Sequence, residues 1–315
     1  CCHSERSASI TEASSEPFLG RLHESSSTDL IWQQQFSPFE LAFLQGHRVG
    51  KVKLLPGTCY IEIARAVVRE RHGETPFALL DVRFKTIMFL DECDQSGAPT
   101  VQLRLSLDTS EVSIVSRLEE GAWEENAVMR LALLSIEIAA PLDTALVRTR
   151  CPERVAGDEF YAKTGNNYQG EFRALAEGWG GGGVGEALGR IEYGRAETQR
   201  LHLRSCAWLD TCTHAPVWWS DHRMRPFFAK AVRSYHILTA DVSNNRELWG
   251  HHPLDTADAG QPVGLLQFYD GALKPTVRIE GAMAGFFEVG RLEGVRTKRR
   301  QSHLYVTAWQ ARSLQ

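Results

Sequence analysis

Between Tyr60 and Val68 apolar residues recur at Tyr60, Ile61, Ile63, Ala64, Val67 and Val68, while Glu62, Arg65, Arg69, Glu70 and Arg71 take the other positions. That spacing winds into a helix with an apolar face and a charged face. Pro56 lacks the N–H that a helix interior needs, and Gly73 suits a helix stop. The helix is therefore predicted to open after the Pro56-Gly57 step and to close at Gly73. The next part of the chain has the period of strands. Runs at 77–90, 100–108, 111–118 and 127–139 are strand-like, most clearly at Val101, Leu103, Leu105 and Leu107, with Gly97-Ala98-Pro99 and Glu119-Glu120-Gly121 as turns. A long, mostly apolar helix needs something wrapped around it, and these strands supply it.

From Ala140 to Gly157 the pattern lapses into polar residues around Pro141 and Pro152, which marks the best boundary in the chain. Beyond it the order of elements repeats in outline. A short helix is expected at 158–164, a strand at 185–193 and a tryptophan-rich helix from Asp210 to about His222. Strands follow at 227–240, 264–269 and 276–289. The two halves share no visible sequence similarity. The reading is an α+β fold of two antiparallel sheets, each wrapped around a helix. Residues 1–16 form a Ser- and Glu-rich linker, 17–145 the first half, 146–157 the connection and 158–297 the second half. Residues 298–315 form a second linker that holds the basic run Lys298-Arg299-Arg300.

With 315 residues and 43% hydrophobic content the chain can bury a sizeable core. Its 35 basic and 39 acidic residues give a net charge of -4, which argues against a nucleic-acid binder. No apolar stretch approaches the roughly 20 residues that span a bilayer, and the N-terminal residues have no signal core, so a soluble chain is expected. The 7 cysteines are scattered without CxxC spacing, so no zinc site or disulfide framework is expected and a reducing, cytoplasmic setting fits.

Three clusters bear on chemistry. His47 lies shortly before the helix start at Pro56-Gly57. A histidine titrating near neutrality suits removal of a weakly acidic C–H proton, and the helix N-terminus offers N–H groups to an oxygen gaining negative charge. Asp210 and His214, four apart, share a helix face, so the histidine can orient the acid; Asp210 also suits an ordinary helix cap. Gly180 to Gly185 formally satisfies GxGxxG, but strand-like sequence follows it and a flexible turn is expected instead of a nucleotide site. His202, His222, His236, His251 and His252 form no ligand set, and Cys59, Cys212, Trp208, Trp218 and Trp219 read as core.

Taken together, His47 with Pro56-Gly57 nine and ten residues on, and Asp210 with His214, resemble the HxxxGxxxxP and DxxxH motifs of the dehydratase domains of modular polyketide synthases. Pro17-Phe18-Leu19-Gly20 resembles that family's opening. Tyr168-Gln169-Gly170-Glu171-Phe172 stands where YGPxF is usual, and Leu304-Tyr305-Val306-Thr307-Ala308-Trp309 resembles the start of the following linker. The resemblance implies a double hotdog fold. It also implies a β-hydroxyacyl substrate carried as a thioester on the phosphopantetheine of an acyl carrier protein, with no other cofactor. By the same resemblance His47 is the general base, Asp210 the general acid, and the Gly57 N–H polarises the thioester carbonyl. His214 orients Asp210, and Tyr168 contributes a hydroxyl nearby. A homodimer, neighbouring synthase domains and a role in antibiotic-type biosynthesis are implied as well.

The sequence departs from the family pattern at two places. Lys51 takes the position of the motif glycine, with Gly50 one residue early, and Gln169-Gly170 replaces Gly-Pro. Relatives of the same fold shift a double bond or close a pyran ring, and a domain that only binds the carrier protein is a third possibility. The presence of Asp210 points to water loss.

Overall fold

A computed structural model describes residues 18–36, 41–90, 98–118, 121–134, 140–181, 185–194, 205–219, 226–239, 246–253 and 264–286. The linkers at 1–16 and 298–315, His202, His222 and the Leu304–Trp309 segment lie outside the described residues.

The chain begins with an antiparallel pair, β1 (Arg21–Ser25) and β2 (Asp29–Gln35), followed by the small hairpin β3 (Arg48–Val49) and β4 (Val52–Lys53). Helix α1 (Gly57–His72) comes next, then β5 (Phe77–Phe84), β6 (Thr100–Ser106), β7 (Glu111–Arg117) and β8 (Glu124–Leu133). The second half has α2 (Thr144–Arg150), β9 (Glu153–Ala156), α3 (Gly157–Lys163), β10 (Leu175–Gly180) and β11 (Ala187–Glu192). Helices α4 (Ser205–Thr211) and α5 (His214–Trp218) precede β12 (Phe227–Ile237), β13 (Glu247–His252), β14 (Leu265–Tyr269), β15 (Pro275–Glu280) and β16 (Met283–Phe286).

One sheet runs in the order β1-β2-β6-β7-β8-β5-β12-β15-β14-β13-β11-β10-β9, with β16 on β12. Strands β5 and β12 pair antiparallel, Val82 opposite Val232 and Leu79 opposite Tyr235, and this seam fuses two curved halves. The first half encloses α1; the second encloses α4 and α5. One apolar core includes Ile61 and Val67 of α1 together with Ile191, Trp208 and Phe268. This is the α+β double hotdog architecture.

Helix α1 starts where Pro56 forces it to and ends at Gly73, which adopts φ 67. Its charged face is the departure. Glu62 is 0% exposed and Arg65 is buried too, because the middle of the helix is packed between the sheet and α4. The buried carboxylate is matched by Arg65 Nη1 at 3.6 Å and Arg69 Nη1 at 3.7 Å. In β6 the alternation buries Val101, Leu103 and Leu105 but stops at Ser106, leaving Leu107 38% exposed in the turn.

Other expectations are corrected. The polar 140–157 stretch is built of α2, β9 and the start of α3. Asp143 caps α2 by accepting from the Leu146 N–H at 2.9 Å, and β9 pairs with β10. The run from Phe77 ends as a strand at Phe84 rather than Leu90. The expected Asp210–His222 helix begins earlier, at Ser205, and breaks after Thr211. Pro216 has no N–H to give the Cys212 carbonyl, and the Thr213 hydroxyl donates to the Asp210 carbonyl at 2.6 Å. Cys212 therefore sits in a turn. The Gly180–Gly185 run joins β10 and β11 of an antiparallel pair, so no helix follows it to cradle a phosphate; residues 182–184 are outside the described residues.

Candidate active site

His47 is fixed from several sides. It ends the short 3-10 turn Ala42–Gly46, and its ring Nδ1 lies 3.0 Å from the Leu54 carbonyl, while the Leu54 N–H donates to the His47 carbonyl at 3.1 Å. A carbonyl only accepts, so Nδ1 carries the hydrogen and Nε2 keeps its lone pair. The residues between His47 and Leu54 form the β3–β4 hairpin, with Gly50 and Lys51 as its two-residue turn. Gly50 adopts φ 59 and Lys51 has no positive φ, the pattern of a type II′ turn. The glycine one position early therefore supplies the left-handed residue without changing the distance to Pro56.

The second half grips this hairpin. The Gln169 N–H donates to the Gly46 carbonyl at 2.8 Å, the Asn167 N–H to the Arg48 carbonyl at 2.9 Å, and Asn167 Nδ2 to the Gly50 carbonyl at 3.0 Å. A Cβ on Gly46 would meet the Gln169 carbonyl oxygen at 2.2 Å, so only glycine permits the approach. Gly170 has φ 56, which proline cannot adopt, so the Gln169-Gly170 variant of the segment has its own backbone path. The result is that the His47 ring lies 5.7 Å from the Tyr168 ring and 5.4 Å from that of Phe172. Burial, at 8% exposure, pushes its pKa below the ordinary value. The Asp210 charge and the Leu54 hydrogen bond oppose that, and His214 adds to it.

Asp210 comes from the last turn of α4. Its Oδ1 lies 3.9 Å from His47 Nε2, and its Oδ2 lies 3.2 Å from His214 Nε2. His214 is fully buried, stacked on Phe160 at 5.5 Å, and its Nδ1 is 3.2 Å from the Tyr161 hydroxyl. Tyr161 itself accepts the Leu175 N–H at 2.9 Å. The Tyr161 hydrogen is thus directed at His214 Nδ1, Nε2–H donates to Asp210 Oδ2, and Oδ1 is left facing His47. Sequence reasoning missed Tyr161, which sits on α3 next to Phe160.

Tyr168 is buried between the two histidines, its ring 4.2 Å from that of His214. Its hydroxyl accepts from Asn166 Nδ2 at 2.8 Å, and Asn166 also binds both backbone groups of Phe227. Burial, then the neighbouring Asp210 charge, raise the Tyr168 pKa well above the ordinary value, so it stays protonated. Gly57 is the first residue of α1, where an N–H has no partner within the helix. The next residue, Thr58, donates its hydroxyl hydrogen to the Cys206 carbonyl at 2.8 Å and so ties the start of α1 to α4. Cys59 is buried at the same place, and burial raises its pKa well above the ordinary value, as befits an inert thiol.

His47, Gly57, Tyr168 and Asp210 all line one cavity of about 140 Å³, closed mainly by apolar side chains. Pro56 and Gly50 stay outside that lining and act on the backbone path. Among the described residues no cluster of three or more His, Cys, Asp or Glu is arranged to hold a metal, and no helix is long and apolar enough to cross a membrane. A histidine, a carboxylate and a helix N-terminus thus converge on one apolar chamber.

Comparison with known proteins agrees with this fold. Residues 16–117 match the family model described as the polyketide synthase dehydratase domain. The chain is 31% identical over 151 residues to the phthioceranic/hydroxyphthioceranic acid synthase of Mycobacterium tuberculosis, covering 46% of this chain and 7% of that protein. It is 25% identical over 174 residues to the highly reducing polyketide synthase lcsB of Purpureocillium lilacinum, covering 53% of this chain and 6% of that one. The chain therefore corresponds to a small part of these curated relatives. Among solved structures, the dehydratase domain from the CurK module of the curacin polyketide synthase superposes with a TM-score of 0.74 at 19% identity, over 87% of this chain and 99% of that one.

Proposed function

The chain belongs to the dehydratase domains of polyketide synthases, and on that premise we propose that it removes water from a β-hydroxyacyl thioester to leave the α,β-unsaturated thioester. The observation that carries the reading is the meeting of His47 Nε2 and Asp210 Oδ1 at 3.9 Å inside an apolar cavity. His47 Nε2 takes the α proton. The electrons of that C–H bond form the new C=C bond as the β C–O bond breaks, and the departing oxygen takes the proton of Asp210 and leaves as water. The Gly57 N–H polarises the thioester carbonyl, and such a donor is worth about 3 kcal/mol in the transition state. With base and acid so close together, both proton transfers occur on the same face of the Cα–Cβ bond, which makes the elimination syn.

The thioester is read as arriving on the phosphopantetheine arm of an acyl carrier protein, with neighbouring synthase domains on either side, in a cytoplasmic homodimer. The low affinity of the wall for charge and the family membership support the carrier-bound acyl substrate. Mass spectrometry of the purified domain with a 3-hydroxybutanoyl pantetheine thioester tests the activity through the loss of one water. His47→Ala and Asp210→Ala are each expected to lower turnover by roughly 10²- to 10⁴-fold with the fold intact by circular dichroism. Near-normal turnover in either variant contradicts the assignment. Deuterium entering the γ carbon of an enoyl thioester in heavy water, without any water loss from the hydroxyacyl thioester, identifies a double-bond shift instead.

A further inference from the structure

We infer that the acyl chain accepted here carries no oxygen beyond its β-hydroxyl, so that the substrate is a β-hydroxyacyl thioester with a hydrocarbon tail. The inference rests on the dehydration proposed above and concerns the buried part of the cavity lining.

That buried lining includes Ile61, Val232, Leu266 and Ile279. Tyr60 and Tyr235 also line it, yet their hydroxyl oxygens have no accessible surface, so both present ring carbon to the cavity. Two other wall hydroxyls are engaged elsewhere: Thr58 donates to the Cys206 carbonyl at 2.8 Å and Thr213 to the Asp210 carbonyl at 2.6 Å. Among the described residues, the polar groups turned to the interior are thus those that serve the reacting carbons: His47, Asp210, Tyr168 beside them and the first N–H of α1. Lys85 and Thr86 lie at the more exposed mouth, where Glu125 pairs with Lys85.

A hydroxyl or keto oxygen on the δ carbon would exchange water for a wall in which, among the described residues, no side chain turns a donor or acceptor toward it. In a chain extended two carbons at a time, the δ carbon was the β carbon of the preceding round. The reactions that supply this substrate must therefore include one that eliminates the preceding β-oxygen after keto reduction.

The test compares 3-hydroxyoctanoyl, 3,5-dihydroxyoctanoyl and 3-hydroxybutanoyl pantetheine thioesters by mass spectrometry, alongside dissociation constants of the unreactive octanoyl and 5-hydroxyoctanoyl pantetheine amides. The 5-hydroxyl is expected to lower kcat/KM by about 10- to 100-fold, the range in which an apolar pocket rejects an added hydroxyl. It should weaken binding of the amide in the same sense. Equal or better binding of the 5-hydroxy amide overturns the inference. If the amides rank as expected but no thioester loses water, the tail preference stands and the dehydration reading fails. Val232→Thr, which adds a hydroxyl to the wall with little change of volume, is expected to narrow the gap between the two amides; a gap of unchanged width in that variant counts against the wall as its cause.

Discussion

In the proposed elimination His47 and Asp210 each exchange one proton with the substrate. After one water is lost by that mechanism, His47 would hold the α proton and the departing oxygen would have taken a proton from Asp210, which leaves a histidinium beside a carboxylate. Burial of His47 disfavours its charged form and so favours release of that proton before the next turnover. The base must be neutral to act. The acid limb of the pH profile of kcat/KM is therefore expected below the ordinary histidine value of about 6.5. A limb above that value contradicts the burial argument. Tyr161 gives a second test at this scale. Tyr161→Phe removes the hydrogen aimed at His214 Nδ1 and frees the imidazole to take the other tautomer, which cannot donate to Asp210. The expected outcome is a fall in kcat of about tenfold with KM unchanged, the worth of one ordinary hydrogen bond. In a His214→Gln background the same change should add little, since Gln donates an amide hydrogen whatever Tyr161 does. Additive losses in the double variant contradict the relay. His47, Asp210 and His214 were legible in the sequence because each stands at a fixed distance from a neighbour along the chain. Tyr161 was not, because its partnership with His214 spans 53 residues and exists only once α3 packs against α5.

The elements show why the spacing from His47 to Pro56 matters. It is the length of one minimal hairpin plus the step into α1, so histidine and helix start are held on the same side of the chamber whatever the turn residues are. The histidine also depends on the grip of the 166–169 segment, whose closest approach is at Gly46. Gly46→Ala is expected to push the hairpin off Gln169 and to lower activity by roughly tenfold or more, because small misplacements of a catalytic group are costly. The same variant should lose about 1–3 kcal/mol of stability, as overpacked sites do. Equal activity and an equal urea midpoint contradict the grip. Helix α1 was legible to within its caps because Pro56 and Gly73 punctuate it, and β6 and β7 because one face of each is buried. Strand β13 was not, since it is buried on both faces: Trp249 lies under α2, with Arg148 over its ring, and no alternation survives. The break between α4 and α5 was written in Pro216, but its consequence depended on the Thr213 hydroxyl turning back to Asp210.

For the molecule as a whole, the two halves share one sheet and one core, so groups far apart titrate against a common stability. Arg150 of α2 binds both oxygens of Glu186 at 2.8 Å, and His251 of β13 meets the same carboxylate at 2.9 Å, which fastens the connecting segment to the second sheet. Burial lowers the His251 pKa against the pull of Glu186. For Glu186 burial acts upward, but the hydrogen bonds and charges of Arg150 and His251 outweigh it and the value is lowered. The signs agree across the molecule. A histidine lowered in the folded state binds fewer protons than in the unfolded chain, so stability rises with pH from its folded value up to about 6.5 and is lost below. For a lowered carboxylate, stability is present above the unfolded value and is lost as pH falls through the folded one. His47 and His251 therefore act first on acidification and Glu186 later. The urea midpoint is expected to fall steadily from pH 7.5 to pH 5, and His47→Ala should flatten the part of that fall just below pH 6.5, because one of the two buried histidines no longer resists protonation. A midpoint that is level or rises on acidification would mean that these histidines are protonated in the folded protein, and with it His47 would lose the neutral state its role as base requires.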